Sequence, residues 1–162
     1  MLILILDQIS KWWILKVFEL PLKGSVELLP FLNFTMVWNK GISMGLITPD
    51  GDLGKGLLIV GTILIMGILL VWMRKSESKL EAYALAVVFG GAFGNLLDRF
   101  FHGAVVDFVH LHAGGYSFYV FNAADAAISL GVMALLLESF LPEKFVQRLQ
   151  GSNKSTKTKN EE

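Results

Sequence analysis

Cysteine is absent from this chain of 162 residues. That excludes disulfides, thiolate nucleophiles and cysteine-ligated metals. Charge is scarce as well: Asp, Glu, Lys and Arg make up 17%, with 14 basic residues against 14 acidic ones. A net charge of zero gives nucleic-acid binding no electrostatic footprint, so no nucleic-acid partner is expected. No internal repeat is evident, and no H-E-x-x-H pattern is present to mark a zinc protease.

What the chain has in abundance is apolar sequence. Hydrophobic residues make up 54% and the mean hydropathy is +0.58, the composition of an integral membrane protein. Four stretches approach the roughly 20 residues that span a bilayer core: 1–20, 56–73, 80–97 and 118–138. Lipid-exposed backbone must satisfy its own hydrogen bonds, so each is expected to be a helix. Met1–Leu6 has no basic n-region, Asp7 and Lys11 interrupt the apolar run, and no small-residue cleavage site comes after. The first stretch therefore reads as a transmembrane helix and not a signal peptide.

Arg74, Lys75 and Lys79 lie between the second and third stretches, and Lys144, Arg148, Lys154, Lys157 and Lys159 come after the fourth. The positive-inside rule makes both regions, and hence both termini, cytoplasmic. Trp12, Trp13, Trp72, Tyr83 and Tyr119 fall near the expected helix ends, as an aromatic belt does. Between the first two helices, residues 24–48 are β-prone and broken by Pro30. They read as a small extracytoplasmic β-rich platform. The expected fold is thus integral membrane and mainly α, with four transmembrane helices in one domain over 1–150. A polar tail, 151–162, is expected to be disordered in the cytoplasm.

Two aspartates stand out. Asp125 sits in the fourth apolar stretch among Ala123, Ala124, Ala126 and Ala127, and shares a helix face with Asn122 and Ser129. A carboxylate at mid-membrane costs roughly 2.5–3.5 kcal/mol, so its default reading is functional, with a structural carboxylate as the alternative. Asp107 comes after the outer end of the third helix, where a turn or cap aspartate is the alternative. A short return loop brings the two to the same outer face, and two adjacent carboxylates sharing a proton are the equipment of an aspartic protease. Gly90 and Gly94 form G-x-x-x-G, which permits close helix contact. Asn95 and Arg99 share one face, and Asp98 and His102 another, so an Asn/Asp/Arg cluster orienting the carboxylates is one reading and interfacial anchoring the other. Asp7 and Lys11, at i and i+4, read as a structural pair. Gly41–Gly45 matches G-x-S-x-G, yet lacks the strand–turn–helix of a nucleophile elbow; with Asn39 it reads as a backbone loop near substrate. His102, His110 and His112 lack metal-site spacing, so no metal is expected.

Together these segments resemble the lipoprotein signal peptidases, the type II signal peptidases. The matching segments are Asp7–Lys11, Asn39–Gly45, Gly90–Arg99, Val105–Phe108 and Phe121–Asp125, in family order over nearly the whole chain. The resemblance implies a bacterial aspartic endopeptidase of the cytoplasmic membrane that cleaves prolipoproteins just before a diacylglyceryl-modified cysteine. It implies Asp107 and Asp125 as the catalytic dyad. Asn39, Gly41, Asn95, Asp98, Arg99 and Asn122 are implied to support the site or contact substrate, with Asp7 and Lys11 structural. It implies no cofactor; the expected partners are the lipid-modified prolipoprotein and membrane lipid, and the expected state is a monomer. Two departures stand out: only Met1–Leu6 precede Asp7, so the recorded start is expected to be truncated or misassigned, and Met44 stands where the family commonly has Phe. The rival class is a non-enzymatic transporter or proton relay using Asp7, Asp98 and Asp125, which requires carboxylates spread through the membrane's depth.

Overall fold

The computed structural model describes residues 1–41 and 51–140. The expected polar tail, and Ile42–Gly45 of the G-x-S-x-G segment, lie outside them.

The chain opens with α1 (Leu2–Trp12), which continues as a π-helical turn over Trp13–Val17. The left-handed Glu19 (φ 53°) and Pro21 then start the short α2 (Leu20–Lys23). Strands β1 (Ser25–Leu29) and β2 (Leu32–Asn39) form a hairpin. Two long helices come next, α3 (Gly51–Lys75) and α4 (Lys79–His102). The start of α4 is set by Ser78, whose hydroxyl accepts the Glu81 backbone N–H, and its end by Gly103 in the left-handed conformation. Then come β3 (Val105–Ala113), β4 (Tyr116–Phe121) and α5 (Ala123–Phe140). All four strands form one antiparallel sheet in the order β1-β2-β3-β4.

Three described helices are long and apolar enough to cross a membrane: Leu53–Lys75, Lys79–His102 and Ala123–Phe140. The expected first span is only 11 α-helical residues plus the 5-residue π turn. The described part of the β-prone segment forms strands, as expected of a β-rich platform, and its hairpin is half of a larger sheet. The last helix begins later than 118, because residues 118–121 belong to β4. Gly114 and Gly115 both have positive φ (57° and 83°) and join Ala113 to its partner Tyr116. Positive φ at both central residues is what a tight two-residue hairpin turn requires, and glycine adopts it without strain. Asp107 accordingly sits within a strand, paired with Val37, and not in a turn.

Two apolar clusters hold this arrangement. Ile14 and Leu20 pack against Val106 and Phe108, tying the first helical segment to the sheet, with Phe34 edge-on to both Phe18 and Phe108. Leu69, Leu85 and Val88 join α3 to α4. The glycines of α4 face two neighbours. A Cβ at Gly90 meets Ile3 at 3.2 Å and one at Gly94 collides with the Asp7 carboxylate, so the G-x-x-x-G pair seats α1. Gly91 seats α5, where an added Cβ lies 2.6 Å from the Ala124 carbonyl.

On α5, a Cβ at Gly131 lies 2.6 Å from Val88 Cγ2 and 2.9 Å from the Ala84 carbonyl. Gly131→Leu is therefore expected to lower the detergent melting temperature by the equivalent of about 1–3 kcal/mol of overpacking. Gly67→Ala on α3, where nothing lies within 4 Å, is expected to leave it unchanged or higher. Equal losses in the two variants contradict the seating of α5 on α4.

Candidate active site

Asn122 and Asp125 define how the last helix starts. The Asp125 backbone N–H donates to Asn122 Oδ1 (2.9 Å), and the Asn122 backbone N–H donates back to Asp125 Oδ2 (3.3 Å). This reciprocal pair is a capping box, and it points the Asp125 side chain back over the helix N-terminus. The backbone N–H of Ala124 is satisfied from another element, by Asp7 Oδ1 of α1 at 3.0 Å. Helix N-termini favour negative charge, which places two carboxylates at the start of α5.

Asp107 is brought to the same place by β3. Asn122 Nδ2 donates to its Oδ1 at 2.6 Å, and Asn39 Nδ2, from the end of β2, donates to its Oδ2 at 3.0 Å. Asn39 is itself oriented by the Gly41 backbone N–H (3.1 Å). Gly41 also accepts Arg99 Nη2 at 3.0 Å through its carbonyl. Asn95 Nδ2 donates to Asp125 Oδ1 at 2.8 Å. A cavity of about 160 Å³ opens between these groups. Asn39, Asn95, Arg99, Tyr119, Asp125 and Ser129 line it, with Val105 and Ile128 as its apolar wall.

The two aspartates differ in setting. Asp107 is 1% exposed, whereas Asp125 is half-buried on the cavity wall. Burial pushes the Asp107 carboxyl up to about 6, and the negative charge of Asp125 pushes the same way. The amide donors Asn39 and Asn122 oppose that rise by favouring the ionised form.

Behind the pair lies a buried ion cluster. Lys11 Nζ contacts Asp98 Oδ2 at 2.7 Å and Asp7 Oδ2 at 2.8 Å. The expected Asp7–Lys11 pair is thus part of a triad. Asp98 does not reach the cavity; its Oδ2 also accepts the Val106 backbone N–H (3.1 Å), pinning β3 beside Asp107. Gln8 completes the cluster, with Nε2 donating to Asp98 Oδ1 and Asp7 Oδ2, both at 3.1 Å.

The candidate residues of the sequence thus all belong to one connected region. Residues beyond them are Gln8 and Tyr119, the latter read from sequence only as a belt aromatic. The signal for Gln8 was present: a polar side chain inside an apolar helix. The histidines lie elsewhere, His110 on Thr35 and Ser117, His112 on Asn33 and His102 against the Trp38 ring.

Solved structures of similar shape exist. Two chains described as a bacterial membrane enzyme, solved by the in meso method, superpose with TM-scores of 0.74 and 0.71, both at 30% sequence identity. The first match covers 85% of this chain and 82% of that one, the second 86% and 88%. Membrane-length helices, a small antiparallel sheet and a polar cavity between them define this chain as having a membrane-enzyme fold. The family model for signal peptidase (SPase) II matches residues 1–141, and the chain belongs to that family. The lipoprotein signal peptidase of Methylorubrum extorquens (strain PA1) is 49% identical over 139 residues, 86% of this chain and 81% of that protein. The lipoprotein signal peptidase of Methylobacterium radiotolerans is 47% identical over 142 residues, 88% and 83% respectively.

Proposed function

We propose that this protein is a membrane aspartic endopeptidase that removes signal peptides from prolipoproteins, cutting before a diacylglyceryl-modified cysteine. The observation that carries the reading is one asparagine network holding both carboxylates: Asp125 on the cavity wall accepts from Asn95, and the buried Asp107 accepts from Asn122 and from the cavity-lining Asn39. The family and the names of its relatives supply the substrate class. The linkage of Asp7 and Asp98 through Lys11 into the same network argues against a proton relay with carboxylates spread across the membrane.

Asp125, at the cavity wall, is the base. It takes a proton from a water, which attacks the scissile carbonyl carbon, while Asp107 gives its proton to the carbonyl oxygen. The resulting gem-diol collapses as the C–N bond breaks; Asp125 passes its proton to the leaving amine and Asp107 recovers one from the diol. Each carboxylate ends as it began. Arg99 contributes a further donor: its Nε–H is buried and has no hydrogen-bond partner among the described residues. An unpaired buried donor costs about 1–3 kcal/mol, which a substrate carbonyl offsets. In this reading α1 with its π turn is the fourth membrane span, the sheet lies at the outer surface, and both termini are cytoplasmic. The acyl chains lie between helices and the protein acts as a monomer in the bacterial cytoplasmic membrane.

The test is cleavage of a purified prolipoprotein with and without its diacylglyceryl group, in the presence of a strong chelator. Release of signal peptide from the lipid-modified form alone, undiminished by chelator, is expected. Cleavage lost to chelator, or no cleavage of the modified form, overturns the reading. The acid role of Asp107 adds a pH dependence. Its proton is held below about 6, so kcat/KM is expected to fall as pH rises through that region. Asn39→Ala removes a bond that favours the charged form, so the falling limb is expected to move to higher pH. A limb that stays in place or moves down removes Asp107 from the acid role.

A further inference from the structure

The amide of Asn95 has two possible orientations, and its neighbours permit one. Its Oδ1 accepts Lys11 Nζ and Asn122 Nδ2, both at 3.1 Å, while its Nδ2 donates to Asp125 Oδ1 at 2.8 Å. Rotated by half a turn, the amide sets its N–H groups against the Lys11 ammonium and the Asn122 amide, and its oxygen against the Asp125 carboxylate. All three contacts then become repulsive. Lys11 is the charged member of this lock. It is 3% exposed, so no water competes for its donors, and its three protons have three acceptors: Asp7, Asp98 and Asn95.

We propose that Lys11 is a positioning residue for Asp125, acting through Asn95. Its ammonium holds the Asn95 carbonyl toward α1, so the amide N–H is presented to the carboxylate that activates water. This rests on the proposed role of Asp125 and assigns Lys11 a task beyond balancing buried charge. The geometry separates the two tasks, because two of the three Lys11 contacts are ionic and only the third points toward the cavity. A loss of orientation one residue away from the reacting atoms is expected to lower kcat by about 10²-fold.

The test compares Asp98→Asn with Lys11→Met/Asp98→Asn. The double variant carries the wild-type cluster charge, one uncompensated carboxylate in each case, but lacks the donor to Asn95. It is expected to recover melting temperature relative to Lys11→Met alone. Its kcat is expected to remain about 10²-fold below that of Asp98→Asn, with KM little changed. Equal kcat in Asp98→Asn and the double variant overturns the proposal and leaves Lys11 as a charge balancer. Asn95→Ala is the second arm, since it keeps both ion pairs and removes the intermediary, together with its bond to Asn122. A similar loss in kcat supports the relay, and wild-type kcat overturns it even if the double variant does not fold. Asp125→Asn, run alongside, separates the two ideas. If it stays active, the dyad reading fails; if it is inactive while the Lys11 arms keep kcat, only the relay fails.

Discussion

Asp125→Asn and Asp107→Asn are each expected to reduce cleavage of a lipid-modified prolipoprotein by at least about 10³-fold while the protein stays folded. Asparagine matches aspartate in shape but neither takes a proton from water nor gives one to a carbonyl oxygen. The structural cost is modest by comparison. Asp125 accepts from Asn95 and from the Asn122 backbone, and Asp107 accepts from Asn122 and Asn39. An asparagine keeps one acceptor of the two, a loss of about 1 kcal/mol per bond. The measurement is single-turnover cleavage beside a melting curve in detergent. An inactive but folded protein in both cases supports the dyad. Near-normal cleavage in either removes that carboxylate from the chemistry, and the mechanism must be rebuilt around the other.

The second large effect is structural. Lys11→Met is expected to destabilise the fold by about 3–5 kcal/mol, because removing one partner leaves uncompensated buried charges. Methionine has similar length, so little packing is lost. What remains is Asp7 and Asp98, 0% and 2% exposed, with the cation between them gone. Asp7 also caps α5 and Asp98 anchors β3, so any shift of these carboxylates loosens both elements that carry the proposed dyad. The readout is the detergent melting temperature. An unchanged value indicates that the triad is solvated and its ion pairs add little.

Much of this site is legible in the chain because polar residues in apolar sequence announce themselves. Asp125 stands out on the cost of burying it, Asn122 on the helix face it shares with Asp125, and Asp107 on its place after the outer end of the third helix. The G-x-x-x-G spacing at Gly90 and Gly94 anticipates the seat of α1. The start of the last helix is misplaced from sequence because Phe118 to Leu137 is a nearly continuous apolar run, and periodicity alone does not separate a buried strand from a helix there. The Gly114-Gly115 pair is the available correction, since it marks a tight hairpin. Other features have no local signal. The pairing of β2 with β3, and the reach of Asp7 to Ala124, join residues far apart in sequence. Asp98 shows the limit most clearly: its neighbours in sequence suggest a place near the substrate, and only the packing of α1 turns it toward Lys11.

The hydrogen bond from Ala124 to Asp7 joins positions separated by 117 residues. It has a consequence for how the protein is made. The α1 helix is synthesised well before α5, the helix whose N-terminus it holds. Until that helix enters the bilayer beside it, the Asp7 carboxylate has no Ala124 N–H to accept, Asn95 has no carboxylate to meet and the cavity lacks a wall. On the proposed reading, a nascent chain halted before that helix lacks one half of the dyad. On the proposed dyad, activity then begins only when these two distant parts of the chain have met.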